Sequence, residues 1–211
     1  DGDITDADRV NVGKAIPDFY GGITSNFSYK GFDLSLFGQF SVGGKVMAAW
    51  RGVNGSEGTD HLGLALSNVK VGDRGESVEQ FFNISKEVAN GYWRGEGTSN
   101  SIPRPVRIGV HTGYDYDYNV QTSTRYLEDA SYFKLKTVTL GYTLPESITK
   151  KIHVNSLRVY VSADNLLTFT KYSGYDPETS FSGSPGDSNY GVDFGLQPVL
   201  RTFIFGLNLN F

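Results

Sequence analysis

From Phe32 to Val42 every second residue is apolar or glycine: Phe32, Leu34, Leu36, Gly38, Phe40 and Val42 share one face, and Asp33, Ser35, Phe37, Gln39, Ser41 and Gly43 the other. A period of two held this long specifies a strand whose faces meet different surroundings. Just upstream, Ile23, Phe27 and Tyr29 oppose Thr24, Asn26 and Ser28, and only Lys30-Gly31 separates the two runs, which predicts a tight β-hairpin. Arg201 to Phe211 repeats the pattern, with Phe203, Phe205, Leu207, Leu209 and Phe211 against Thr202, Ile204, Gly206, Asn208 and Asn210. Leu157 to Phe169 opens with Leu157, Val159, Val161 and Ala163 against Arg158, Tyr160, Ser162 and Asp164, then loses phase near Asn165, where a bulge is expected. In Tyr132 to Leu144 the phase-mates are Val138, Leu140, Tyr142 and Leu144, with Lys134 and Lys136 on that same side. The apolar band is therefore expected to cover only the later half of that strand.

The expected fold is all-β, with antiparallel strands at about 20–29, 32–46, 132–144, 157–169 and 201–211. The 26 Gly, 14 Phe and 13 Tyr among 211 residues favour strands and turns over helices. Two connections are long, 47–131 and 171–200, and Ser77 to Tyr92 in the first has the capping residue and apolar spacing of a short helix. The other two are short, Lys30-Gly31 and the turn from Pro145 to Asn155. Short turns at one end and long loops at the other are the asymmetry of a membrane β-barrel. Five strands do not close a barrel, and an open edge in lipid would strand backbone N–H and C=O groups at several kcal/mol each, so on this reading the chain is part of a longer wall. Faces rich in Ser, Thr, Asn, Asp and Gln suit a hydrated lumen. The same alternation also describes a soluble antiparallel β-sandwich, such as a glycan-binding module, with its apolar faces packed together. Pattern alone leaves both open.

Composition removes other classes. With 19 Lys+Arg against 23 Asp+Glu the net charge is −4, which excludes a basic nucleic-acid binder. There is no Cys, hence no disulfide framework and no thiolate site. No run of about 18 apolar residues provides a transmembrane helix, and the acidic, polar start has no signal-peptide pattern. His61, His111 and His153 are scattered, with no H-E-x-x-H, no G-x-S-x-G and no complete phosphate loop around Gly43-Gly44-Lys45, so no enzyme is expected.

Five ordered passages carry a resemblance: ITDADR at 4–9, PDFYGGITSNFSYKGFDLSLFGQFSVGGKV at 17–46, YLEDASYFKLKTVTLGYTLP at 126–145, LRVYVSADNLLTFTKYSGYDPE at 157–178 and RTFIFGLNLNF at 201–211. Together they resemble the carboxyl-terminal part of the SusC/RagA-type TonB-dependent outer-membrane transporters of Bacteroidetes. The resemblance implies the last five strands of a 22-stranded transmembrane β-barrel in the bacterial outer membrane, facing lipid outside. It puts 47–131 and 171–200 outside the cell and Lys30-Gly31 and 145–155 in the periplasm. The family's plug and other amino-terminal domains are not among these residues. Implied partners are a SusD-like surface lipoprotein and the TonB energy-transducing complex, and the implied cargo is an oligosaccharide or peptide.

Candidate binding residues lie in the loops. Asp1, Asp3, Thr5 and Asp8 match the fifth, seventh, ninth and twelfth positions of a calcium loop with Gly2 as its turn glycine, which predicts calcium in the intact protein, against the alternative of a solvated acidic loop. Tyr114, Tyr116 and Tyr118 alternate with Asp115 and Asp117, so a strand there would offer aromatic rings to sugars on one side and carboxylates on the other. The alternative is an aromatic girdle, where Tyr is enriched anyway. Trp50 and Trp93 invite the same sugar-stacking reading, with loop packing as the alternative.

Overall fold

In the computed structural model, residues 6–51, 63–65, 67–71, 76–80, 85–104, 106–108, 122–178 and 190–211 are described. Their strands are β1 (Phe19–Tyr29), β2 (Phe32–Val42), β3 (Lys45–Ala48), β4 (Gly63–Ala65), β5 (Ser67–Val71), β6 (Glu76–Gln80), β7 (Val106–Ile108), β8 (Leu127–Asp129), β9 (Tyr132–Thr143), β10 (Ser156–Thr170), β11 (Val192–Asp193) and β12 (Thr202–Asn210). Two short helices are α1 (Lys86–Gly91) and α2 (Glu146–Thr149). The chain divides into two compact units: 14–46, 128–180 and 196–211 form one, and 1–13, 47–127 and 181–195 the other.

The first unit is a five-stranded sheet in the order β1-β2-β9-β10-β12, antiparallel at every pairing. Because partners across a ladder share a face, the registers extend the sequence pattern over the whole sheet. Phe27 pairs with Leu34, Leu34 with Leu140, Leu140 with Val161 and Val161 with Phe205, so one apolar row crosses all five strands. Other rows on that face hold Phe32, Tyr142, Val159 and Leu207, then Leu36, Val138, Ala163 and Phe203. The opposite face carries Asn26, Ser35, Thr139, Ser162 and other polar groups.

Two irregularities keep the faces apart. Asn165 adopts a left-handed backbone, φ 53°, and the β10–β9 register slips between Asp164 and Leu167, which is the bulge expected near Asn165. On its other side β9 slips against β2, where Phe37 faces Thr137 but Gly38 faces Leu135, leaving Lys136 as the extra residue. This step corrects the expectation for the two lysines. It flips the phase of β9, so Phe133 and Leu135 complete the apolar face while Tyr132 and Lys134 turn to the polar one.

Three other boundaries also differ from expectation. The second strand stops at Val42 instead of running to residue 46, because Gly43 and Gly44 take φ of 80° and 79°; the chain resumes as β3, whose Met47 and Ala48 pair in parallel with Val192 and Asp193. The helix expected over Ser77 to Tyr92 is confined to Lys86–Gly91, since Ser85 caps it by accepting the Val88 N–H, while Glu76–Gln80 pairs antiparallel with Ser67–Val71. The turn from Pro145 to Asn155 contains α2 and a 3-10 turn at Lys150–Ile152.

In the second unit Ala49, Val88, Ile102 and Tyr126 form a small buried cluster, with Met47, Tyr92 and Val192 packed against it. Tyr126 is fully buried there, and the Trp93 N–H donates to the Ile102 carbonyl at 2.9 Å, tying the segment after α1 to the cluster.

The β1–β2 hairpin turns on Lys30 at φ 47° and Gly31 at φ 88°, both left-handed as a two-residue turn of this hand requires. A Cβ on Gly31 would lie 2.8 Å from the Thr143 carbonyl oxygen. Gly31→Ala is therefore expected to lower the stability of the full-length protein by at least about 1–2 kcal/mol, the cost of a left-handed side-chain-bearing residue. Lys30→Gly should be tolerated. Denaturant midpoints in detergent solution check both.

Candidate functional site: the polar face and its rim

The polar face holds three kinds of cross-strand contact. In its middle Thr137 Oγ1 donates to Asp164 Oδ1 at 3.1 Å, and the Thr139 and Ser162 hydroxyls meet at 2.8 Å. Towards the hairpin end Arg158 of β10 reaches across β9 to Asp33 of β2, Nε to Oδ1 at 2.9 Å and Nη2 to Oδ2 at 2.5 Å. The fork spans two strand spacings only because Gly141 lies beneath it: a Cβ there would run into the guanidinium and both carboxylate oxygens. The Arg158 guanidinium also sits 4.9 Å from the centre of the Tyr160 ring.

At the end that carries the long connections, the segment after β10 folds back onto this face. Lys134 is 2% exposed and Asp176 5%. The Lys134 ammonium donates to Asp176 Oδ1 and to Glu178 Oε2, the latter at 2.5 Å, and Lys136 donates to the same Glu178 oxygen at 2.7 Å. Tyr132 Oη donates to Glu178 Oε1 at 2.9 Å and accepts from Gln39 Nε2 at 3.2 Å. Two cations and two carboxylates thus balance in a site largely withdrawn from water, which is what retaining a buried lysine demands. Burial pushes the Glu178 carboxyl up, but hydrogen bonds from Lys134, Lys136 and Tyr132 outweigh it and hold the group below its ordinary value.

Nearer β8 the same segment is tied again. The Ser173 N–H and hydroxyl donate to the two oxygens of Glu128 at 2.8 and 2.7 Å, and the Thr170 hydroxyl donates to the Ser131 carbonyl at 2.8 Å. The neighbouring Asp129 carboxyl is held below the usual carboxylate value by hydrogen bonds from the Ser131 hydroxyl and backbone N–H. The rim was not singled out by sequence spacing. Its signals were two lysines inside an apolar strand and the Asp176-Pro177-Glu178 run beyond the next strand.

Of the sequence-predicted site residues, Asp1, Asp3, Thr5, Tyr114, Tyr116 and Tyr118 lie outside the described residues. Asp8 ends an exposed 3-10 turn, Asp6–Asp8. Trp50 is half-buried in the turn Ala49–Arg51, where its Cβ lies 3.3 Å from the Cβ position of Gly195. Trp93 is exposed beyond α1.

No family model matches the chain. Along its whole length it is 34% identical to TonB-dependent receptor P3 of Formosa agariphila and 26% identical to TonB-dependent receptor SusC of Bacteroides thetaiotaomicron. Over its whole length the chain is thus similar to one segment of TonB-dependent receptors, SusC among them, in keeping with the resemblance read from its five passages. It spans 18% and 17% of the length of those two relatives, so it represents under a fifth of each. The fold follows the RagAB peptide importer, solved in an open-open state, with a TM-score of 0.64 and 22% identity over 99% of this chain and 19% of that one. The five-stranded antiparallel sheet thus shares the fold of the matching part of that importer.

Lys134→Met keeps the length of the side chain and removes its charge, so Asp176 and Glu178 lose the ammonium they share. Breaking a buried pair in this way costs about 3–5 kcal/mol, and hydrogen exchange along Thr170–Glu178 of the full-length protein should rise accordingly. Acid should act through Glu178. A carboxyl depressed in the folded state stabilises above its unfolded value, 4.5, and that contribution disappears as pH falls through the lowered folded value. Protection of Thr170–Glu178 is therefore expected to hold from neutrality to about pH 4.5 and to decline below it.

Proposed function

We propose that these residues form the closing five strands of the barrel wall in an outer-membrane nutrient importer. Importers of this kind take up oligosaccharides or peptides, act with a SusD-like surface lipoprotein, and draw energy from the TonB complex through parts of the protein outside this chain. The observation that carries the reading is the apolar face, exposed on all five strands while the opposite face is polar. In water such a surface is a liability, whereas hydrocarbon is the solvent it fits. A β-sandwich would cover it, and Phe27, Phe205 and Leu207 are more than half exposed.

The distribution of aromatic rings supports a membrane band. Phe32 and Tyr142 pack with ring centres 4.5 Å apart at the hairpin end, next to Tyr29. Phe19 with Phe40 and Phe133 with Phe169, both at 6.2 Å, mark the other end. From Phe19 to Tyr29 the strand rises about 33 Å, which at a tilt of about 40° is about 25 Å along the membrane normal, the height of the apolar band of such barrels. No described helix is long and apolar enough to cross a membrane, and a barrel crosses with strands.

The mechanism follows from the two faces. Substrate enters past the long connections, the hydroxyl- and amide-rich face forms a hydrated path, and the apolar face keeps the wall in lipid. No step requires a catalytic group. The SusD-like partner and the oligosaccharide or peptide cargo rest on the resemblance to SusC and to the RagAB peptide importer.

Adjacent residues on opposite faces give the test. Leu36→Arg places a cation on the apolar face of the second strand, at a cost of about 2–4 kcal/mol if that position lies at the bilayer midplane, and should lower the amount of full-length protein assembled in the outer membrane. Ser35→Arg, facing the lumen, should leave assembly intact. Recovery of the native protein as a water-soluble, detergent-independent species would overturn the transporter reading.

A further inference from the structure

The apolar face is not uniform. Near the hairpin end Val159 and Val161 of β10 lie between larger neighbours, Phe32, Leu140 and Tyr142 on one side and Phe205 on the other, and together they line a groove of about 320 Å³. One wall is fixed by the packed rings of Phe32 and Tyr142, 4.5 Å apart. The groove opens on the face that the transporter reading puts in hydrocarbon, so what fills it there is lipid.

Charge at the end of the groove selects the kind of lipid. Lys30 sits in the turn beside Phe32, and its ammonium lies 5.2 Å from the centre of the Tyr29 ring. Tyr29 pairs with Phe32 and shares the apolar face, so this contact holds the cation on the lipid side of the wall. The Thr143 N–H donates to the Gly31 carbonyl at 2.8 Å, which ties the hairpin turn to the end of β9. There the turn from Pro145 to Asn155 begins, joining the two strands that floor the groove. It carries Glu146, Lys150, Lys151 and His153. Glu146 is taken up by Lys150 at 2.8 Å, and Asp33 is taken up by Arg158 on the polar face. Among the described residues Lys30 and Lys151 have no carboxylate partner, and both are exposed. An acyl-sized apolar groove ending at two cations fits an amphiphile with a negative headgroup. A soluble anion would leave the groove unused, and a neutral lipid would leave the lysines unused.

We propose that this groove is a binding site for one anionic phospholipid. An acyl chain lies over Val159 and Val161, between the Phe32 and Tyr142 rings and Phe205, and the phosphate meets Lys30 and Lys151 at the membrane surface. The assignment rests on the transporter reading, which puts this face in lipid, and adds to it a lipid class and a place. On the resemblance this end of the sheet is the periplasmic one, so the lipid belongs to the periplasmic leaflet.

The experiment uses the full-length transporter, extracted in detergent, stripped of native lipid and titrated with phosphatidylglycerol or with phosphatidylcholine of the same acyl chains. Bound lipid is read by mass spectrometry of the intact complex. The parent should hold phosphatidylglycerol more tightly than phosphatidylcholine. A double variant, Lys30→Asn with Lys151→Gln, keeps at position 30 a residue that accepts the left-handed backbone. It should lower the affinity for phosphatidylglycerol about fivefold for each charge removed and leave phosphatidylcholine unchanged. Val161→Trp fills the groove without placing a charge on the face, and should abolish the preference while both lysines remain. Outer-membrane assembly of both variants should match the parent. Equal retention of the two lipids by the parent overturns the proposal, because the face then carries only an unselective apolar coat. A preference that survives the double variant or Val161→Trp overturns it as well. The parent separates this from the wider reading: a detergent-dependent parent that imports but shows no lipid preference defeats the lipid site alone, whereas a water-soluble parent defeats the transporter reading itself.

Discussion

The sheet depends on a single geometric constraint, that side chains of period two stay in phase across every backbone ladder. A slip of one residue in any strand would move its apolar residues to the polar face and its polar residues to the apolar one. The constraint is met in β1, β2 and β12 by plain alternation. In β9 and β10 it is met by two compensating irregularities at the same level of the sheet, Lys136 on one strand and Asn165-Leu166 on the next. Asn165 suits the position because its left-handed backbone is cheaper for Asn than for most residues, and its side-chain amide donates to the Leu200 carbonyl at 3.1 Å. The bulge therefore accommodates the extra residue of β9 without changing the phase of β10, and ties down the chain entering the last strand.

Much of this was legible in the sequence, because alternation is a local property. The ends of β1, β9, β10 and β12 fall within one residue of expectation, and the bulge near Asn165 announced itself as a loss of phase. The facing of Lys134 was not legible. The step that turns it lies at Lys136 and is defined only against the neighbouring strands, so a strand read alone assigns Lys134 to the wrong side. The helix expected from Ser77 shows a related limit: apolar spacing tolerated a helical start there, yet Ser85 supplied the cap and the residues upstream found a strand partner instead.

The rim was the least legible part, and the reason is sequence distance. Lys134 and Asp176 are 42 positions apart and Arg158 and Asp33 are 125 apart, so neither pair leaves a spacing signature. The glycine between the latter pair is informative only once the register is known. Gly141 reads as a weak point in a strand until Asp33 and Arg158 are seen to meet above it.

The two ion-pair sites on the polar face differ in what they can do. The Asp33–Arg158 fork remains partly exposed, with side-chain accessibilities of 38% and 27%, so solvent screens it and its main effect is to fix the relative position of three strands. The Lys134 site is nearly dry, and there the energetics invert: assembling it gains little over an apolar contact, but opening it leaves a bare charge in a low dielectric. A site of that kind contributes less to net stability than to the penalty on alternatives. It makes every conformation in which Thr170–Glu178 lifts off the sheet costly.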